Sequence, residues 1–402
     1  MSVNTLDFEQ VSTVLTSIVQ QATGQTVLTP TDTASFVSVA QTALLANRDS
    51  VMNAISNILA RTIFSIRPYS AKMTGLDMDT FRWGAMMRKL SIADTDWEDD
   101  KAYEWPVFYD STQNPPDGEG ESVDRWKIKK PNILQTNFYG QSVYSDHMSI
   151  TEDQLETAFT GPEQLGSFLS LLMTNLSNRL EMSNEALRRG LVCNAIGALY
   201  EEDDSDRVIH LLTEYNTLTG QSYTQQDIYD PANFPGFCKW AYSRIAEITD
   251  LFTANSTKFQ TVITGKPILR HTPYAYQRVY LYSPFQRQIE ARVLADTYHD
   301  NYLRYANVET IPYWQSIDTR DTVKVTPAYV GSNGALVSST AQTVENVFGL
   351  IFDRDAMGMS ILDRRVLSTP VNESGLYRNI WVHGKQRVVF DNTEKLALLL
   401  LD

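Results

Sequence analysis

The chain has 402 residues, 43% hydrophobic and 20% charged, enough to bury a large core shared among two or three lobes. Its 34 Lys and Arg against 48 Asp and Glu give a formal charge of −14, which opposes broad attraction to nucleic-acid backbones or anionic membranes. The first basic side chain is Arg48 and no apolar run reaches bilayer length, so neither a secretory leader nor a membrane span is expected, and synthesis in a cytoplasm without export is.

In chain order, Phe8, Val11, Leu15, Ile18 and Val19 recur at helical spacing until Gly24. Further helix starts fall at Pro30 with Asp32 and at Asp49 with Ser50, the latter followed by Val51, Ile55, Ile58, Leu59 and Ile63. These helices either form a layer on their own core or an arm that docks on a neighbouring chain. Past FRWGAMMRKL, the acidic run Asp94, Asp96, Glu98, Asp99 and Asp100 reads as a solvated surface. Tyr103, Trp105, Val107 and Tyr109 then alternate with Ala102, Glu104, Pro106 and Phe108, the period of a strand that Pro106 confines to an edge.

The polar tip DSTQNPPDGEGES, residues 110–122, follows. Beyond it Asp124, Trp126 and Ile128 alternate with Arg125, Lys127 and Lys129, and Lys130 extends the basic row. The pattern predicts an antiparallel hairpin with acids on one strand and bases on the other. An isolated hairpin is marginal in water, so the aromatics of a projecting one need cover from outside.

Thr151 and Gln154 have capping-box spacing for a short helix through Phe159, ending at Gly161. Pro162 opens a longer helix to Tyr200, carried by Leu165, Leu169, Leu172, Leu176, Leu180, Leu187, Leu191, Ala195 and Leu199. Ser183 and Asn184 break the heptad, which ranks a coiled coil below a bundle member or a spine. After the acidic cluster Glu201 to Asp206 come a helix from about Pro231 to Phe252, strands at QTVITG and QRVYLYS, and a helix from Pro284 to about Tyr302. Strands at ETIPYWQSI, TVKVTPAYV and VFGLIFD complete a mixed lobe over 206–365. Near the end His383-Gly384 and Asp391-Asn392 read as turns between strands, and LALLLL as a strand despite its helix propensity.

Motifs of common chemistry are missing. His147, His210, His271, His299 and His383 lack the close spacing of a zinc site. Asp77 with Asp79, Asp353 with Asp355, and Asp203 to Asp206 lack the glycine and terminal glutamate of a calcium loop. There is no phosphate-binding loop, dinucleotide fingerprint or nucleophile elbow; Gly118 and Gly120 come nearest and fail. Cys193 and Cys238 read as reduced buried thiols, and the sequons at Asn255 and Asn372 carry no weight without export. Catalytic, cofactor-binding and metal-binding residues are therefore expected to be none.

The order of parts, with WGAMMRKL before the hairpin, KIKKPNILQTNFYGQSVYSDHMSITEDQLETAF after it, and FGLIFDRDAMG and RVVFDNTEKLALLLLD near the end, resembles the tailed-phage major capsid protein of the Hong Kong 97 type. The resemblance implies an α+β fold divided into an N-terminal helical arm (1–62), a peripheral domain (63–95, 136–205 and the return strands 366–402), an extended hairpin loop (96–135) and an axial domain (206–365). It implies a structural, non-enzymatic protein of the virion, without cofactor, that assembles with itself through hexamers and pentamers into an icosahedral head. That head encloses double-stranded DNA without reading its sequence. Portal, scaffold and decoration proteins are the further partners implied, and no membrane.

The subunit contacts expected are Asp96, Glu98, Asp99 and Asp100 against Arg125, Lys127, Lys129 and Lys130, with Tyr103, Trp105 and Trp126 as apolar anchors; pairing of those charges inside one hairpin is the competing reading. Some such proteins carry a lysine to asparagine cross-link, but no motif matches Lys101, Lys127 or Asn392 to it. The rivals are a cellular nanocompartment shell of the same fold and a soluble α/β enzyme using Asp353 or Asp355 with a distant histidine.

Overall fold

The computed structural model describes residues 8–23, 29–46, 50–51, 54, 72–78, 86–92, 133–139, 142–151, 153–154, 161–285, 287 and 307–402. α1 (Phe8–Thr23) and α2 (Thr33–Ala46) form as the apolar spacing predicts. Asp32 starts α2 by accepting the Ser35 N–H at 2.7 Å, and those Ser35 bonds hold its carboxyl below the usual range. The buried faces, Val11, Leu15, Ile18 and Val19 against Phe36, Ala40 and Ala43, close over Ile150, Ile380, Phe168 and Leu172 of the same chain. The helical layer thus packs on its own subunit.

The Thr151 and Gln154 capping box is present, each side chain accepting the other's backbone N–H at 3.3 Å; the rest of the short helix expected there lies outside the described residues. Gly161 is extended and Pro162 opens α3 (Pro162–Glu202), which ends on a left-handed Asp203. At about 1.5 Å per residue α3 is roughly 60 Å long, and it underlies two sheets.

Its N-terminal half packs through Leu176 and Leu180 on Val382, Tyr144, Met148 and Val366. These belong to a sheet of β3 (Ser142–Thr151), β10 (Met357–Ser368) and β11 (Tyr377–Phe390), ordered β10-β11-β3 and antiparallel. Its C-terminal half, Leu191 to Leu199, packs on a second sheet ordered β4-β12-β9-β5-β6: β4 (Val208–His210), β12 (Leu396–Leu400), β9 (Val347–Asp353), β5 (Gln277–Tyr282) and β6 (Val308–Ile311). α4 (Leu211–Thr219) and α6 (Phe234–Thr253) cover the other face of that sheet, and the short α5 (Gln225–Ile228) joins them.

β12 therefore runs with Leu396, Leu398 and Leu400 toward α3 and Ala397 and Leu399 toward α6. A strand buried on both faces has no polar alternation, which is why LALLLL reads locally like a helix. β7 (Val323–Val325) pairs with β8 (Gln342–Val344) against α3. Gly197 permits that approach, since a Cβ there would lie 2.4 Å from Val325 Cγ1.

Three expectations change. His383-Gly384 is not a turn but the middle of β11: the ring of Tyr144 lies across Gly384, where a Cβ would be 2.1 Å from Tyr144 Cζ. QTVITG is not a strand. Its backbone bonds to loops instead, Thr261 N–H to Asn392 O and Thr264 N–H to Ser332 O, before turning at Gly265 with φ +76°. ETIPYWQSI and TVKVTPAYV are strands only over β6 and β7, and Pro312 and Pro327 follow them, unable to donate to a ladder. The helix expected from Pro284 to Tyr302 lies mostly outside the described residues.

Candidate assembly surfaces and the turn that anchors them

The chain passes from the five-stranded to the three-stranded sheet between β9 and β10 and returns between β11 and β12. The return is Asp391-Asn392-Thr393-Glu394-Lys395, five consecutive polar residues, all buried. Burial of such groups requires partners, and each has them. The Asp391 N–H donates to Ala356 O of the outgoing connection. Asp391 Oδ1 accepts the Thr393 N–H (3.0 Å) and hydroxyl (2.6 Å), and Oδ2 accepts Lys89 Nζ at 2.6 Å. Asn392 Nδ2 donates to Val330 O (2.7 Å) and to Thr261 Oγ1 (2.9 Å). Glu394 accepts Lys89 and Arg270. Lys395 Nζ reaches Ala254 O (2.6 Å), Phe252 O (3.1 Å) and Ser256 Oγ (3.2 Å), closing the carbonyl end of α6.

The electrostatics follow from burial set against these partners. Burial alone would raise the Asp391 carboxyl, but Lys89 and Thr393 outweigh it and hold the group below its usual range. For Glu394 burial dominates and raises it despite Lys89 and Arg270. Burial pushes the Lys395 ammonium down to about 8. At the C-terminal end of α3, burial raises Glu202 against the pull of Arg207, Thr261 and Asn392.

Lys89 belongs to a separate two-stranded ladder, β1 (Met86–Ile92) with β2 (Ile133–Tyr139), in register from Met86 opposite Tyr139 to Ile92 opposite Ile133. This ladder flanks the expected hairpin loop, of which only 133–135 lie among the described residues, and its first strand begins ten residues before the loop's expected start at 96. One face turns to the body. Beside Lys89, Arg270 Nη2 donates to Ser91 Oγ at 3.2 Å, and Leu134 lines a crevice together with Val262, Ile263, Ile268 and Thr393. Lys266 Nζ also holds the Ile133 carbonyl at 2.8 Å. The opposite face is bare and partly apolar, with Leu90 61%, Ile92 64% and Ile133 46% exposed. The expected contact residues Asp96, Glu98, Asp99, Asp100, Tyr103, Trp105, Arg125, Trp126, Lys127, Lys129 and Lys130 lie outside the described residues.

The groups weighed for chemistry have structural employment. Asp353 Oδ2 accepts the Thr272 hydroxyl at 2.6 Å and Oδ1 the Asp355 N–H at 2.8 Å. Asp77 receives Arg188 through Nε and Nη2 at 2.9 and 2.8 Å; Asp79 lies outside the described residues. His147, Trp381 and His383 stack along the sheet, with centroids 4.4 and 5.9 Å apart, and His210 Nδ1 meets Asp402 at 2.6 Å. Among the described residues no three His, Cys, Asp or Glu side chains gather as a metal site would need, and no helix is long and apolar enough to cross a membrane. Cys193 and Cys238 are buried thiols, and burial pushes Cys193 up to about 12. Lys89, Arg270, Glu394 and Lys395 escaped the sequence reading, and its one trace of them was the Asp391-Asn392 turn.

A long helix lies under two sheets with a two-stranded ladder beside them, and solved phage structures share this frame. The fold matches the capsid structure of Staphylococcus phage Andhra at TM-score 0.50 and 9% identity, over 85% of this chain and 86% of that one. It matches a chain in the structure of head fiber and inner core protein gp22 of native bacteriophage P68 at TM-score 0.51 and 10% identity, over 83% and 85%. The family model of the Phi29-like phage major capsid protein matches residues 15–399, and the chain belongs to that family. Its role is structural and its place is the virion capsid. No curated protein matches its sequence.

Proposed function

We propose that copies of this chain close the phage head by laying the hairpin rooted in β1 and β2 over the next copy, in hexamers and pentamers of an icosahedral shell around double-stranded DNA. The observation that carries this reading is the stem's outer face: Leu90, Ile92 and Ile133 stand exposed on a ladder that has no third strand among the described residues. A two-stranded ladder with such a face gains stability from cover, and in a closed assembly each modest contact is repeated by symmetry. The charge of −14 suits a wall that encloses a polyanion without gripping it. In this reading the β10-β11-β3 sheet with α1 and α2 is the peripheral domain and the five-stranded sheet the axial one, which takes β10 out of the axial range 206–365 and β12 out of the return strands 366–402.

The acidic and basic rows flanking the tip are proposed to pair within one hairpin. The β1–β2 register is described only as far as Ile92 opposite Ile133; if the strands continue in it, Asp96 would fall opposite Lys129, Glu98 opposite Lys127 and Asp100 opposite Arg125, the direct cross-strand relation of opposite charges. Tyr103, Trp105 and Trp126 then remain the candidates for contact with the neighbour. No catalytic role is proposed: of the two carboxylates on which the enzyme reading depended, Asp353 is engaged by the Thr272 hydroxyl and the Asp355 N–H, and Asp355 faces Arg354.

Deleting residues 110–122 tests the proposal. The expected product is a folded subunit with wild-type circular dichroism that forms few closed particles in the electron microscope. An unfolded subunit would place the tip in the core, and a full yield of particles would remove it from assembly.

A further inference from the structure

We infer that Lys89 is a positioning residue for assembly: held between Asp391 and Glu394, it fixes the direction in which the stem leaves the body, and through that direction the curvature at which copies meet. The inference rests on the reading that the hairpin bridges copies. A two-stranded ladder joined to the body by apolar contact alone could slide, since apolar burial has no preferred direction. The stem is instead held by directional, charge-assisted bonds: Lys89 to both carboxylates, Arg270 to Ser91 and Lys266 to the Ile133 carbonyl.

The acceptors are themselves fixed. Asp391 is held by two Thr393 donors and by its own N–H on Ala356, and Glu394 by Arg270. Both stand on the turn where the chain crosses between its two sheets, so the clamp refers the stem to the sheet junction and not to a surface loop. Any rotation at the root grows with distance along the hairpin. A loosened clamp would therefore leave the subunit folded and the angle between neighbours variable. Exposed apolar surface explains why copies associate; the clamp explains how one angle is selected.

The test uses the full-length chain with Lys89→Met and Lys89→Arg. In Lys89→Met the amides of 86–92 and 133–139 should exchange with solvent about tenfold faster, the scale of one lost charge-assisted bond, while those of α6 and β12 keep their protection. Its particles should scatter in diameter or fail to close. Lys89→Arg should restore both the exchange and the diameter, a rescue that loss of general stability would not give. Unchanged exchange in the stem, or Lys89→Met particles of uniform wild-type diameter, would overturn the inference. Should Lys89→Met unfold the body, Glu394→Gln weakens the clamp while keeping its shape, and the same two readouts decide. Wild-type protein that forms no closed particles contradicts the assembly reading instead, and the exchange measurement is independent of that result.

Discussion

Lys395 shows how far a single side chain reaches in this fold. Its ammonium donates to the carbonyls of Phe252 and Ala254 at the end of α6, where Phe252 O also accepts the Thr272 N–H; the apolar face of that helix forms much of one core. Lys395→Met removes the ammonium from Ala254 O and leaves Phe252 O with the Thr272 N–H alone, and should cost about 2 kcal/mol, read as a lower denaturation midpoint. The pH dependence has a definite sign. The unfolded chain keeps this proton up to the ordinary 10.5, whereas the folded chain releases it at about 8. Between those values the unfolded state binds more protons, so the contribution of Lys395 to stability rises with pH. Wild type should gain on Lys395→Met from pH 8 to 10; a gap that stays constant or narrows would show that the folded ammonium keeps its proton. None of this was legible in DNTEK, which reads as a solvated turn. Its burial comes from the two strands it joins entering different sheets, a relation no local pattern encodes.

At the scale of elements, legibility followed how local the determining contacts are. α1, α2, α3 and the Thr151 capping box depend on neighbours within a few residues, and the spacing of Val11, Leu15 and Ile18 or the position of Pro162 located them. Gly384 was misread as a turn because the ring that needs its missing side chain belongs to Tyr144, in another strand. Likewise the backbone partners of QTVITG are Asn392 and Ser332, far away in sequence. The β1–β2 ladder was missed, since Met86 to Ile92 carries no clean apolar alternation: Lys89 faces the body and Leu90 the solvent. The proposed continuation of its register predicts a charge-swap outcome. Glu98→Lys and Lys127→Glu should each reduce particle yield, and the double swap in one chain should recover it, through a coupling of about 0.2–1 kcal/mol for an opposed pair. Mixing the two single variants distinguishes the origin: recovery on mixing would mean that the charges meet between subunits.

At the scale of the whole molecule, the sequence supplied the order of parts and the family likeness, and the structure supplied the reason they cohere. One helix of about 60 Å runs beneath both sheets, and the sheets share two crossing connections that are hydrogen-bonded to each other at Asp391 and Ala356. Apolar clusters on both halves of α3 tie the two lobes to one spine. A body of this kind transmits load along its length, which suits a shell. Its stem, by contrast, keeps an apolar face outside every core cluster described here. A reconstruction of assembled heads by electron cryomicroscopy, at a resolution that separates side chains, is the most direct test. The expected map shows Leu90, Ile92 and Ile133 of each subunit covered by an adjacent copy; a map in which all three stay in solvent, or fold back onto their own subunit, would contradict the proposal.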